Sequence, residues 1–147
     1  MTTLQLVPAV PADLPAVLEL LAASGLPNDG LAEHFDAAVI ARAGAAVVGS
    51  AALELYGETA LLRSVAVAEG LRGQGLGRAL TTAALGLARA RGVRRVYLLT
   101  TTAEGYFPSF GFAPIARAEV EPAVQASVEF TGACPASAAV MALTLAS

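Results

Sequence analysis

Hydrophobic positions change their spacing several times along this chain. Residues 3–8 alternate like a strand. Asp13 then precedes Leu14, Val17, Leu18 and Leu21, which follow the i, i+3, i+4, i+7 spacing of one helix face. Gly25 and Pro27 mark where that helix stops. A short second helix is expected over residues 29–35. Three strands follow: residues 38–43, residues 45–56 with an interruption at Gly49, and residues 59–67, the run TALLRSVAV. Turns at Ala43-Gly44 and around Gly57 join them.

Past residue 67 the chain changes character. Residues 69–77 are short and glycine-rich. Leu76, Leu80, Ala84 and Leu87 then form a helical stripe with Arg78, Arg89 and Arg91 off it, and Gly92 stands where a helix C-terminus favours glycine. Residues 93–100, VRRVYLLT, read as a buried strand. Residues 102–110 predict a short helix made irregular by Gly105 and Pro108. A strand is expected over 111–117, a partly helical stretch over 119–139, and a last strand over 140–145. The order of elements predicts an α/β fold. Strands joined by short turns are antiparallel, and the strand–helix–strand unit from 59 to 100 is a right-handed parallel crossover. At 147 residues the chain is expected to form one domain.

Composition narrows the classes of partner. Hydrophobic residues make up 56% and charged residues 14%, which argues against disorder and leaves apolar surface for a cleft or a dimer interface. A formal net charge of −3 does not favour nucleic acid. All nine basic residues are arginine, and Arg72, Arg78, Arg89, Arg91, Arg94 and Arg95 fall in one segment, so a small anion can still be met there. One cysteine and one histidine allow neither an intrachain disulfide nor a zinc cluster, so no metal is expected. The N-terminal residues lack a charged n-region and a long apolar run. No stretch approaches the roughly 18 uninterrupted apolar residues of a membrane span. A cytoplasmic protein without a membrane partner is expected.

The strongest chemical signal is Arg72-Gly73-Gln74-Gly75-Leu76-Gly77-Arg78, placed between a strand and a helix. Alternating glycines leave backbone N–H groups unobstructed, and a helix start offers unpaired donors at the positive end of its dipole. Such a place binds anions, and Arg72 and Arg78 add charge-assisted hydrogen bonds. A ligand-free glycine turn is the plainer reading. A dinucleotide-binding turn would need G-x-G-x-x-G and an acid about 20 residues on, and neither is present. A P-loop needs a lysine, and the chain has none.

This run resembles the acyl-CoA signature R-x-x-G-x-G of the GNAT superfamily of N-acetyltransferases. Phe110-Gly111-Phe112, after a strand and a short helix, resembles that superfamily's second landmark, and the order of elements is similar over nearly the whole chain. The resemblance implies a mixed, partly antiparallel sheet flanked by helices and splayed between two parallel strands, those ending at Val67 and at Thr100. It implies acetyl-CoA as the acyl donor, with the pantetheine arm bonded to the backbone of Val65, Ala66 and Val67 and the pyrophosphate on residues 72–77.

Two positions depart from the superfamily's pattern. Thr100 stands where many relatives have Asn. Phe107 stands where many have the Tyr that protonates the departing thiolate, and phenylalanine has no proton to give. Tyr106, one residue earlier, is the substitute candidate for that acid, and water is the other, because a thiol of pKa about 8.5 leaves readily. Glu54, Glu58, Glu104 and Glu129 are carboxylates near the expected cleft. Glu54, between Leu53 and Leu55, is the candidate base, or else a solvent-facing residue. Arg63 interrupts an apolar strand. It forms a structural ion pair with a core glutamate, or it clamps a carboxylate or oxyanion of the substrate. Cys134 is a core residue or lines the acceptor site.

The runs LLRSVAVAEGLRGQGLG, TTTAEGYFPSFGF and CPASAAVM together resemble a narrower group, the short acetyltransferases of bacterial arsenic-resistance operons. That resemblance implies a small-molecule amine acceptor, with arsenic-containing metabolites or amino acids among the candidates, Arg63 at its negative end and Cys134 against the arsenic; a protein or peptide acceptor, or a non-catalytic CoA-binding module, is the alternative. Antiparallel edge strands and high apolar content make a homodimer plausible.

Overall fold

The computed structural model describes residues 4–26, 28, 30–73, 75–100, 105–127, 129–133 and 138–145. Ten elements organise them: β1 (Leu4–Pro8), α1 (Leu14–Ala23), β2 (Ala38–Ala43), β3 (Ala46–Tyr56), β4 (Thr59–Val67), α2 (Leu76–Ala90), β5 (Arg95–Thr100), β6 (Ala113–Pro114), α3 (Pro122–Gln125) and β7 (Ala139–Thr144). The strands form one sheet in the order β1-β2-β3-β4-β5-β7-β6. Every neighbouring pair is antiparallel except β4 and β5.

That parallel pair positions the site. Only Thr59–Leu61 pair with Arg95–Tyr97. Beyond them β4 stays bonded to β3 as far as Val67, and β5 stays bonded to β7 as far as Thr100. Both strands therefore continue, and among the described residues no strand pairs with the edges that face each other. The sheet is splayed there, as expected.

Helix α2 closes one face. Its buried Leu76, Leu80, Ala84, Leu85 and Ala88 pack on Ala51, Leu53, Leu62, Val96 and Leu98. This is the stripe read from the sequence, displaced at its last member by one residue along the helix. Helix α1 and a turn at Leu31–Ala37 cover the other face at β2 and β3, through Val17, Leu21, Leu31 and Phe35 on Ile40 and Ala52. A third cluster, Leu61, Tyr97, Val120, Val124 and Val140, lies under α3. Asp13 ties α1 to the sheet. Its carboxylate accepts from the Val10 N–H at 2.9 Å and is paired with Arg42 of β2.

Several local expectations need correction. Gly49 does not interrupt β3, which runs through it. A Cβ there would stand 2.6 Å from Leu80 Cδ1, so any larger residue would force the Leu80 side chain to shift. The second helix is a run of 3-10 turns rather than an α-helix. The strand expected over 111–117 is reduced to Ala113–Pro114, the outermost strand of the sheet. Proline is tolerated there because its nitrogen faces the open edge of the sheet, while the Ile115 N–H still donates to the Val140 carbonyl at 3.0 Å. The stretch 119–139 holds one turn of α-helix and a π turn at Glu129–Ala133.

Candidate active site

The glycine loop leaves β4 at Val67, makes one 3-10 turn at Glu69–Leu71 and enters α2 at Leu76. Gly75 caps the helix with φ +83°, a conformation L side chains rarely adopt. The helix ladder begins where the Ala79 N–H donates to the Gly75 carbonyl at 3.1 Å. The amides at the start of the helix point out of its end. A Cβ at Gly73 or Gly75 would meet no atom within 4 Å. Space therefore stands open on the loop, next to donors of the right sign for an anion. A cavity of about 330 Å³ lies there, lined by Val67, Leu71, Arg72, Gly73, Gly75, Gly77, Arg78 and Tyr106.

The two arginines of the loop are held differently. Arg72 Nε donates to the Val67 carbonyl at 3.0 Å and its Nη2 reaches Ser24 Oγ at 3.4 Å, which fixes the loop to the end of β4 and to α1. Arg78 Nη2 donates to Ser109 Oγ at 2.8 Å, and its guanidinium lies 4.6 Å from the Phe110 ring centre.

β4 carries a bulge beside the gap. Ser50 pairs with Ala66 and Ala52 with Arg63, so Ser64 and Val65 together face Ala51. Ser64 has φ +59°, and its carbonyl accepts from Ser50 Oγ at 2.7 Å. The extra residue changes the phase of the strand. Ala60 and Leu62 face α2 before it, and Val65 and Val67 pack on the same cluster after it. The backbone of Val65, Ala66 and Val67 thus borders the gap and leads to the glycine loop, with the Val67 carbonyl held by Arg72. Thr100 ends β5 on the opposite wall, opposite Ala139 of β7.

Arg63 lies at the head of the gap, two residues past the last β4–β5 pair, and is buried. Its Nη1 donates to Glu54 Oε2 at 2.7 Å, and its Nε lies 3.4 Å from Glu129 Oε2 and 3.2 Å from Ser64 Oγ. The other oxygen of Glu54 accepts from the Tyr56 hydroxyl. Of the two readings of Arg63, the ion pair is formed, and with two carboxylates. Glu54 is 1% exposed, which corrects the solvent-facing alternative. Burial, and then the hydrogen bond from its hydroxyl to Glu54, push the Tyr56 pKa well above its ordinary value. Glu58, by contrast, is exposed in the turn between β3 and β4.

The two adjacent aromatics separate. Phe107 is 7% exposed and belongs to the core under α2, with its ring 5.8 Å from that of Phe112. It does not line the cavity. Tyr106 does, and is 37% exposed. Gln74, Glu104 and Cys134 lie outside the described residues. Sequence reasoning missed Ser50, Ser64 and Tyr56. The one signal for the bulge is that alternation fails at Leu62-Arg63-Ser64-Val65.

Among the described residues no group of three His, Cys, Asp or Glu side chains is placed to hold a metal, and no helix is long and apolar enough to cross a membrane. A comparison with curated proteins finds no match. Solved structures do match. N-acetylglutamate synthase from Neisseria gonorrhoeae, complexed with coenzyme A and L-arginine, superposes with a TM-score of 0.82 at 18% identity, over 100% of this chain and 34% of that one. This chain thus spans about a third of the length of that synthase. Rv2747 from Mycobacterium tuberculosis, in complex with CoA and NLQ, gives 0.81 at 24% identity, over 97% of this chain and 99% of that one. Ard1 from Thermoplasma volcanium gives 0.74 at 20%, over 98% and 99%. At these identities the likeness shows the fold. The model of the acetyltransferase (GNAT) family matches residues 13–113, which contain the splayed strands, the bulge and the glycine loop. With that match, this chain belongs to the acetyltransferase (GNAT) family.

Proposed function

We propose that the protein is a cytoplasmic, single-domain N-acetyltransferase that moves the acetyl group of acetyl-CoA to the amine of a small molecule. The observation that carries the reading is a sheet gap with an unpaired β4 edge that runs into an open anion cradle. An extended arm bearing amides pairs with Val65, Ala66 and Val67 as an added strand would. Its diphosphate rests on Arg72, Gly73, Gln74, Gly75, Leu76 and Gly77. Thr100 forms the far wall, and Phe107 is the apolar backing of the turn.

The acceptor enters at the head of the gap. Among the described residues, Glu54 and Glu129 there outweigh Arg63 by one negative charge, which suits an arriving ammonium. Glu54 acts as fixed countercharge with both oxygens engaged, and the amine loses its proton to solvent. The neutral nitrogen attacks the thioester carbon and gives its surplus proton to water, the carbon–sulfur bond breaks, and the thiolate takes a proton from water. Arg63, held by two carboxylates, orders this cluster and does not clamp a substrate carboxylate. By the narrower sequence resemblance, arsenic-bearing amino acids are acceptor candidates, with Cys134 as their contact. A homodimer is proposed through the edge strand β1, where Leu4 and Leu6 are 40% and 38% exposed.

Calorimetric titration with acetyl-CoA, NAD and ATP tests the donor, and thiol release across an amine panel tests the transfer. Selective acetyl-CoA binding with turnover of a small amine supports the reading. Binding without turnover on any amine or peptide would make the chain a CoA-binding module. A monomeric mass in light scattering would remove the dimer.

A further inference from the structure

Tyr106 has two roles open to it, and they require it at opposite ends of the donor. A proton donor to the thiolate must stand at the sulfur, toward the head of the gap where β4 and β5 part. A ligand of the diphosphate must stand on the glycine loop. β4 covers six residues between Leu61, its last contact with β5, and Val67, where the loop leaves it. Because of the bulge this stretch matches five residues of β3, Glu54 to Gly49, so at about 3.3 Å per residue those two places are roughly 17 Å apart.

The structure puts Tyr106 at the loop. Its hydroxyl is 3.4 Å from where a Cβ on Gly77, the second residue of α2, would stand, and Val67 Cγ2 is 3.7 Å from the same point. The phenol hydroxyl therefore stands beside Gly77 in the first turn of the helix, on the lining of the cavity. The placement is enforced by Arg78, which lines the same cavity. Arg78 donates to Ser109 Oγ at 2.8 Å, and that hydroxyl donates to the Tyr106 carbonyl at 2.8 Å. The Arg78 guanidinium also lies over Phe110, whose ring is 5.4 Å from that of Tyr106. The chain from Tyr106 to Phe110 is thereby bolted to the first turn of α2.

We propose that Tyr106 is a diphosphate ligand of acetyl-CoA, its hydroxyl donating to a phosphate oxygen alongside the α2 amides, and that it does not protonate the thiolate. Arg78 is then a positioning residue for Tyr106. The inference rests on the acetyl-CoA reading. It predicts that the contribution of Tyr106 depends on whether the donor carries a diphosphate.

The test is Tyr106→Phe, which keeps the ring and its contacts at a partly exposed position. Coenzyme A affinity is measured by calorimetry, and transfer rates are measured with acetyl-CoA and with S-acetyl-N-acetylcysteamine, a thioester without the diphosphate. Losing one hydrogen bond to a charged group at a partly solvated site weakens coenzyme A binding about tenfold. The rate with the truncated donor stays within about twofold of the parent protein, and the pH dependence of kcat is unchanged. Unchanged coenzyme A affinity overturns the proposal. So does a rate loss as large with the truncated donor as with acetyl-CoA, because an acid is needed by both. If the parent protein itself binds no coenzyme A, the donor reading falls and the inference with it. Binding by the parent with no change in the variant sinks the inference alone.

Discussion

Arg63→Met should be the most damaging single substitution at the head of the gap. The guanidinium is fully buried against Glu54, which is 1% exposed, and it reaches Glu129 with its Nε. Methionine fills much of the same space and leaves the two carboxylates without their cation. Breaking a buried pair by removing one partner costs about 3–5 kcal/mol. A domain of this size is stable by about 5–15 kcal/mol, so the loss is a large share. At roughly 2–4 °C per kcal/mol the melting temperature falls by about 6–20 °C. Urea melts followed by circular dichroism measure the first quantity and calorimetry the second. A triple variant, Arg63→Met with Glu54→Leu and Glu129→Leu, should recover most of the loss, because an apolar cluster of similar volume needs no countercharge. A cost under about 1 kcal/mol for Arg63→Met, or a triple variant no more stable than the single, would refute the reasoning.

Three further outcomes are expected. Tyr56 is held above its unfolded pKa of about 10, so its contribution to stability is present below that pH and is lost as pH rises through the folded value. The urea-midpoint gap between the parent protein and Tyr56→Phe should therefore narrow above pH ~10, and a constant gap to pH ~11 would contradict the assignment. Gly75→Glu should abolish acetyl-CoA binding in calorimetry by setting a side chain and a like charge in the open cradle, while Gly75→Asn, which tolerates positive φ, retains it. Equal affinity in both variants would discard the loop as the anion site. Gly49→Ala should cost about 1–3 kcal/mol, since its Cβ would stand 2.6 Å from a Leu80 side chain that is itself fully buried. Leu80→Val in the same chain should return part of it, and a melt identical to the parent's would show that α2 can shift freely.

Much of this site is local and for that reason readable from the chain alone. The turn from β4 into α2 is built within a dozen residues, and its glycines, its arginines and the helical stripe after it are chemistry of near neighbours. The hairpins of β2, β3 and β4 are legible for the same reason, since turn glycines fix their order and antiparallel sense, though not the bulges within them. The Arg63–Glu54 contact is nearly as local, because the two strands are adjacent in one hairpin.

Tertiary packing decided the rest. TALLRSVAV is a strand in either case, but only the ladder with β3 shows that Ser64 and Val65 share one partner and shift the phase of the strand. Glu129 comes to Arg63 from a π turn far along the chain, and no spacing rule connects them. Helical periodicity could not choose between Tyr106 and Phe107, because residues 107–110 make a single 3-10 turn ending at Gly111 with φ +100°. There the core accepts one ring and Arg78, through Ser109, fixes the other over the loop. Local preference is a property of a few successive residues, whereas the faces that a strand, a turn or an aromatic ring presents are set by what packs against them.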